Sequence, residues 1–516
     1  MRGRPFSIAL LVAVALGLAY RVAILASPLG ELDGDEAVVG LMARHIAFQA
    51  EMPVFYYGQP YLGSLEAFCV APLFSVFGSS TWLLKLVPTA YSLGFLALSA
   101  MLARHLFGVG AGLASAAYLA LPPAMWAVWS TKARGGYAEL LFLGEALLLV
   151  TLILVRRPMR RVALLWGILA GLAFWTHLLA IVYIVPAVVF LVVGMRHERS
   201  SRRLATARVA VAGTVVGMTP LIIDNLANGF RTLGALLQPP DLPIDPPAQF
   251  VRFFRVGVPV LLGLGQPTTS QTMFDADWLQ RPASHLWLAI LVVLLLAGAV
   301  LGYVPALRRL AACGSESAAA PALLVLVAVV VPPIVALTRF GFFVSEPRYA
   351  LPLYSVLPLL VGALWRVPIP FVRWGVVGAV VGLNVWSLAS TDQRLWRPED
   401  TPDSTASTRA DLVQFLVAQN RHQMYTDYWI GYPVMFETRE TVLAFVISGG
   451  FNRYVPPADN VQRTPNPAWV FEPGMDAETE FLEQLSVAGG QAHVDRVSVY
   501  RVYTDVQPLE ALRPKL

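Results

Sequence analysis

Charge is what this 516-residue chain has least of. Only 14% of its residues are Asp, Glu, Lys or Arg, where an ordinary soluble domain carries ~25%. That shortage excludes a conventional water-soluble globule. Lysine is nearly missing too: Lys85, Lys132 and Lys515 are the three lysines among 38 basic residues, so arginine supplies almost all positive charge. No dense basic tract with interleaved aromatics occurs, which argues against a nucleic-acid partner. Cysteine is limited to Cys69 and Cys313. Two residues build neither a disulfide framework nor a cysteine-ligated metal site, and the topology below puts them on opposite membrane sides.

What is present is apolar: 56% of the residues are hydrophobic and the mean hydropathy is +0.61. Runs such as "SIALLVAVALGLAY", "LWLAILVVLLLAGAV" and "PALLVLVAVVVPPIVAL" approach the ~20 residues that cross a bilayer. The expected fold class is therefore mainly α, a polytopic membrane protein. Eleven transmembrane helices are predicted near 6–27, 82–103, 109–128, 139–155, 161–177, 178–195, 208–226, 285–303, 320–338, 350–365 and 372–390. Arg21 interrupts the first run and further spans follow it, so it reads as an uncleaved span and not a cleaved signal.

The connections "RRPMRR", "MRHERSSRR", "ALRRL" and "RHLFG", with the N-terminal "MRGR", fall on one side, which the positive-inside rule makes cytoplasmic. The other side receives a first loop (about 28–81), the short "WSTKARGGYAE" (129–139), a loop near 227–284 and "TRFGFFVSEPRYAL". The expected division is a membrane domain over 1–390, a polar linker over 391–407 and a small extracytoplasmic α/β domain over 408–516. In the last part "TRADLVQFLVAQ" and "DAETEFLEQLSVAGG" look helical, while "TVLAFVI", "AWVFEP" and "SVYRVY" look like strands.

The acids are unevenly placed. "ELDGDEAVVG" (31–40) packs four carboxylates into six positions just after the first span. Glu36, Gly40, Arg44, His45 and Gln49 then form a narrow polar stripe on an apolar helix expected to lie along the membrane surface. The plain reading makes Asp33 or Asp35 its N-cap and Glu36 a first-turn acid. "PVFYYGQPYLGSLEAF" (53–68) follows with Tyr57, Gln59, Tyr61 and Glu66 beside the same face; for the tyrosines the plain reading is an aromatic belt.

A "DE" pair after the first span, an interfacial helix, "P.F..GQ.YLGSLEA", "LFSVFGSSTWLLKLVPTAYSLGFL" and "ARHLFG" together resemble the polyprenyl-phosphate-dependent GT-C glycosyltransferases. That family includes the protein O-mannosyltransferases and the aminoarabinose transferase of lipid A. The likeness spans roughly 6–390 in layout, with its sharp motifs within 33–108. It implies a GT-C-like membrane domain in a bacterial plasma (inner) membrane. It implies transfer of a sugar from a polyprenyl-phosphate donor to an extracytoplasmic acceptor (protein, lipid or glycan). The family's general base falls on Asp35, with Glu36 beside it and Asp33 as fallback.

Such a transfer needs a base for the acceptor proton and cations for the departing phosphate. A single displacement inverts the anomeric centre without a covalent nucleophile. Lys132 and Arg134, next to two glycines, and Arg348 with Tyr349 are candidate phosphate ligands; snorkelling at span ends is their plain reading. Arg21, Glu66, Glu139, Glu145 and His177 stand at or within apolar stretches. Arg21 and Glu145 are expected to pair, and His177 is expected to be a hydrogen-bonded structural residue near the outer cavity. "DGD" is a D-x-D triplet of the kind that can hold a divalent metal, but the family generally needs none, so no cofactor is expected. "YTDYWIGYPVMFETRE" reads as an aromatic core segment or an acceptor-recognising one. The second loop is very short, and "GQPYLGSLEA" stands where the aminoarabinose transferases have a Lys-Pro-Pro stretch, which leaves sugar and acceptor open. The competing reading is a lipid or solute transporter or flippase, although no internal repeat supports paired halves.

Overall fold

The computed structural model describes residues 4–196, 198–238, 244–265, 320–338, 346–366, 369–389 and 405–514, with scattered positions between 285 and 308. Helix α1 (Arg4–Leu25) leads into the acidic stretch, which opens α2 (Gly34–Gln49). Then come α3 (Leu65–Phe77), α4 (Thr81–Phe107), α5 (Val109–Ala120), α6 (Ala124–Trp129), α7 (Tyr137–Arg156), α8 (Arg160–Thr176), α9 (Ile181–Gly194), α10 (Ser200–Gly217) and α11 (Thr219–Ala227). The helices Ala322–Leu337 and Pro370–Ala389 close the bundle.

Among the described residues α1, α4, α7 and Pro370–Ala389 are each long and apolar enough to cross a membrane, and α10 with α11, bent by 63°, makes a fifth. The remaining expected spans that are described are shorter helices. The one expected over 109–128 stops at Ala120, because Pro122 and Pro123 cannot continue it, and resumes as α6. Part of the 285–303 expectation, and Cys313, lie outside the described residues.

Small residues bring two of these helices together. "GILAG" (167–171) on α8 faces "GTVVG" (213–217) on α10. A Cβ on Gly167 would strike the Ala210 carbonyl, and one on Gly213 the Leu164 carbonyl. In lipid such backbone-to-backbone packing replaces the missing hydrophobic drive. Arg21 does not pair with Glu145. Its guanidinium donates to Ser92 Oγ (2.8 Å) and to the carbonyls of Gly17 (3.1 Å) and Leu119 (3.4 Å), which ties α1 to α4 and α5.

The C-terminal domain is a five-stranded sheet in the order β2-β1-β3-β5-β4, with β1 (Gln423–Asp427), β2 (Leu443–Ser448), β3 (Ala468–Phe471), β4 (Gln491–Val497) and β5 (Tyr500–Gln507). The first three neighbours are parallel and the last two pairings antiparallel. The helix Ala406–Ala418 opens the domain, two residues ahead of the expected boundary at 408. One face of the sheet packs Tyr425, Phe445 and Trp469 against Phe481. The other face joins a larger core that includes Val38, Leu41 and Met42 of α2 and Phe74 of α3.

Two expectations about the first loop change here. It contains a helix, α3, that its length and glycines had hidden. And α2 is not laid free along a membrane surface: every residue from Glu36 to His45 is buried between α3 and the Tyr428–Glu437 helix. Its polar stripe serves that packing. Arg44 donates to the Phe436 carbonyl (2.6 Å), and His45 bridges Tyr57 (2.9 Å) and Glu440 (3.1 Å).

Candidate functional site

Asp33 is the N-cap of α2. It accepts from the Glu36 amide at 3.0 Å, and Glu36 reaches back to the Asp33 amide, a reciprocal capping box. The cap is built inside an ion cluster. Glu36 Oε1 meets Lys85 Nζ and the Ala133 amide (2.9 Å), while its Oε2 lies 3.2 Å from Lys132 Nζ. Asp33 Oδ2 lies 3.3 Å from Lys132 and 2.8 Å from Arg134, and Arg134 reaches on to Glu346 at 2.8 Å. Three acids and three bases thus share one enclosed volume that joins the start of α2, the loop after α6 and the segment at Glu346. Burial alone would raise the Asp33 pKa; the charges of Arg134, Lys132 and Lys85 outweigh it and hold the carboxyl well below its ordinary value. Glu66 braces the second loop, accepting the amides of Gly135 (2.8 Å) and Gly136 (3.0 Å) on one oxygen.

Asp35 points the other way. Its side chain is 16% exposed, whereas those of Asp33 and Glu36 are 2% and 0% exposed. Oδ1 accepts from Tyr428 Oη (2.7 Å) and faces Arg453 (3.4 Å), both from the C-terminal domain; Tyr56 donates to its backbone carbonyl at 3.1 Å. Oδ2 has no hydrogen-bond partner among the described residues. Burial, then the Asp35 charge, pushes the Tyr428 and Tyr56 phenols well above their ordinary pKa, so both stay protonated donors. Asp33 and Asp35 therefore diverge, and the D-x-D triplet does not converge on one point. Among the described residues no three His, Cys, Asp or Glu side chains are grouped to hold a metal ion.

The other sequence candidates divide. Arg348 and Tyr349 are half-buried, with the Arg348 guanidinium 5.5 Å from the Tyr349 ring. His177 sits beside them through Tyr137, ring to ring at 4.9 Å, and its Nδ1 caps a short helical turn by accepting from the Leu179 amide (3.1 Å). Tyr57 goes elsewhere, hydrogen-bonded to Glu51 and stacked on Tyr454 at 4.7 Å. Gln59 lies in the turn after Tyr56, and Tyr61 packs into the core shared with the sheet. Lys132 and Arg134 are almost wholly enclosed, at 0% and 2% side-chain exposure.

Five participants were not singled out by the sequence reading: Lys85, Glu346, Tyr56, Tyr428 and Arg453. Lys85 carried a usable signal, a second lysine in a chain with three, set in the apolar run "TWLLKLVPTAY". Tyr428 lay within the flagged aromatic segment "YTDYWIGYPVMFETRE", which nothing tied to Asp35; Arg453 carried no signal, and both are about 400 residues from Asp35 in the chain.

No protein-family model matches this chain, and no curated protein sequence matches it. Solved structures do. ArnT from Cupriavidus metallidurans in the apo state superposes with a TM-score of 0.64 at 15% identity over 100% of both chains. The same protein bound to undecaprenyl phosphate gives 0.61 at 15% identity, over 99% of each chain. The Archaeoglobus fulgidus oligosaccharyltransferase, in a complex with Zn and sulfate, gives 0.54 at 13% identity, covering 96% of this chain and 72% of its own. At such identities the likeness is one of fold: the chain has the GT-C architecture, including the small C-terminal domain.

Proposed function

We propose that this chain is an integral-membrane glycosyltransferase that moves a sugar from a polyprenyl-phosphate donor to an extracytoplasmic acceptor, with Asp35 as general base. The observation that carries this reading is the contrast within one short acidic stretch. Of the three acids that open α2, Asp33 and Glu36 are saturated by buried cations, and Asp35 keeps a partly exposed oxygen with no partner among the described residues. The ArnT structure with undecaprenyl phosphate supports the donor class.

In this reading the acceptor O–H or N–H gives its proton to Asp35 Oδ2 as its lone pair attacks the anomeric carbon. The carbon–oxygen bond to phosphate breaks, and polyprenyl phosphate departs with the electron pair. Attack opposite the leaving group inverts the centre. Arg348 and Tyr349, the half-buried pair of the last outer loop, receive the departing phosphate. Lys132 and Arg134 act behind them, fixing the loops rather than touching substrate, because their donors are already engaged by Asp33, Glu36 and Glu346. The catalytic edge faces outward, with the N-terminus cytoplasmic in a bacterial plasma membrane. The acceptor is a protein, lipid or glycan.

The test is release of polyprenyl phosphate by purified protein in nanodiscs, using a panel of polyprenyl-phosphate sugars, for wild type and Asp35→Asn. Release by wild type that the folded variant loses by roughly 10²-fold or more supports the reading. Equal release by both removes Asp35 from the chemistry. No release with any donor, with substrate-dependent lipid movement across vesicles, identifies a flippase.

A further inference from the structure

The parallel strands of an α/β sheet present their carboxyl ends as a ligand-facing edge, since the loops there are free to carry function. In this domain that edge points at the membrane half. Tyr428 directly follows β1, and the loop after β2 carries Phe451 and Arg453. The contact is close. A Cβ on Gly34 would lie 2.6 Å from the Tyr428 ring, one on Gly450 would lie 2.7 Å from the same ring, and one on Gly58 (φ +71°) would lie 2.6 Å from Phe451. Asp427 holds the two loops together, accepting from the Trp429 amide and the Ser448 hydroxyl, each at 2.8 Å.

Within this edge Arg453 is fixed from several sides. Its guanidinium carbon lies 5.0 Å from the Tyr56 ring centre, 5.2 Å from Tyr428 and 4.6 Å from Phe451. Its Nε donates to Tyr428 Oη at 2.7 Å, Tyr428 donates onward to Asp35 Oδ1 at 2.7 Å, and Nη2 faces the same carboxylate oxygen at 3.4 Å. The Arg453 side chain is only 11% exposed and Nη1 is buried without a hydrogen-bond partner among the described residues. A cation enclosed this fully is ill placed to catch a ligand, yet well placed to hold a carboxylate.

We infer that the C-terminal domain is part of the catalytic machinery: Arg453 and Tyr428 form a positioning pair that clamps Oδ1 of Asp35 and so aims Oδ2 at the acceptor. This rests on the transferase reading above. Neither residue touches substrate; both act through Asp35. The clamp fixes the rotamer of a carboxylate that is 16% exposed and whose Oδ2 has no partner among the described residues, and a misplacement of ~1 Å in such a group costs roughly 10²-fold in rate.

The experiment compares full-length wild type, Tyr428→Phe, Arg453→Ala and Arg453→Lys in the polyprenyl-phosphate release assay, with thermal unfolding run on each. Tyr428→Phe keeps the ring that fills the Gly34 and Gly450 contacts, so it separates clamping from folding. The expected result is kcat reduced roughly 10- to 100-fold with KM for donor and acceptor within about twofold, and partial recovery of Arg453→Ala by added guanidinium. Arg453→Lys retains the charge but loses the fork that serves Tyr428 and Asp35 at once, so it stays closer to the Ala variant than to wild type. Wild-type kcat in folded Tyr428→Phe and Arg453→Ala overturns the inference while leaving the transferase reading intact. A raised acceptor KM at unchanged kcat overturns it too, by making these residues a binding surface. Absence of turnover in wild type with every donor overturns the transferase reading, and this inference with it.

Discussion

Replacing Glu36 by Gln changes one atom's identity in a fully enclosed side chain, and the structure says what that does. The cluster holds Asp33, Glu36 and Glu346 against Lys85, Lys132 and Arg134, three charges of each sign. Glu36 accepts from both lysines and from the Ala133 and Asp33 amides. A carboxamide keeps the volume, but it presents N–H groups to an ammonium and leaves one uncompensated positive charge where side-chain exposure is 0–2%. Removing one partner of a buried pair costs ~3–5 kcal/mol, mostly as the desolvation of the charge left behind. The measurement is equilibrium unfolding in mixed micelles, and the expected loss for Glu36→Gln lies in that range. Adding Lys132→Met removes the surplus charge, so the double variant is expected to regain ~1–3 kcal/mol over the sum of the singles. A Glu36→Gln variant within ~0.5 kcal/mol of wild type, or strict additivity in the cycle, refutes the charge-balanced cluster. A stable variant with abolished turnover would instead move Glu36 from the scaffold into the chemistry.

Two further outcomes are expected. If Arg348 receives the phosphate as proposed, Arg348→Ala removes a charge-assisted contact worth ~1.5–3 kcal/mol, and donor KM is expected to rise roughly 10- to 100-fold in the release assay while the fold is retained. Glu478 is a case for pH: burial would raise its pKa, but the Gly474 amide, the Tyr503 hydroxyl and Arg501 outweigh that and lower it from its ordinary 4.5. A depressed carboxyl stabilises above its unfolded pKa and loses that contribution as pH falls through the folded one. Thermal unfolding of the C-terminal domain in the full-length protein therefore weakens below about pH 4.5 in wild type, and Glu478→Gln flattens that acid slope.

How much of this could be read beforehand varies with distance along the chain. The strands "TVLAFVI" and "AWVFEP" and the Asp33 cap follow from neighbours a few residues away and appear where alternation and capping place them. Four or five of the eleven expected spans are long and apolar enough to cross a membrane among the described residues. The acidic stretch announced itself by crowding, and the family resemblance, not the residues alone, pointed to Asp35 within it. What periodicity could not show is which of those acids are silenced. That depends on Lys85, 49 residues from Glu36, on Lys132, 99 residues from Asp33, and on Glu346, 212 residues from Arg134. The same holds for α2. Its polar stripe has the pattern of an interfacial helix, and only tertiary packing distinguishes a lipid surface from the Tyr428–Glu437 helix as the covering layer. Hydropathy also overstated continuous spans, because it does not register that Pro122 and Pro123 end a helix.

The shared core of the first loop and the C-terminal sheet has a bearing on biosynthesis. Asp35 leaves the ribosome 418 residues before Arg453. At 5–20 residues per second that interval is roughly 20 to 80 s. Throughout it, the side of α2 that Phe436 and Tyr428 will cover lacks that cover, and Asp35 lacks Tyr428 and Arg453. On the transferase reading, sugar transfer would therefore wait on the C-terminal domain: a chain that has inserted its helices but not yet folded this domain back onto the first loop holds Asp35 without Tyr428 and Arg453.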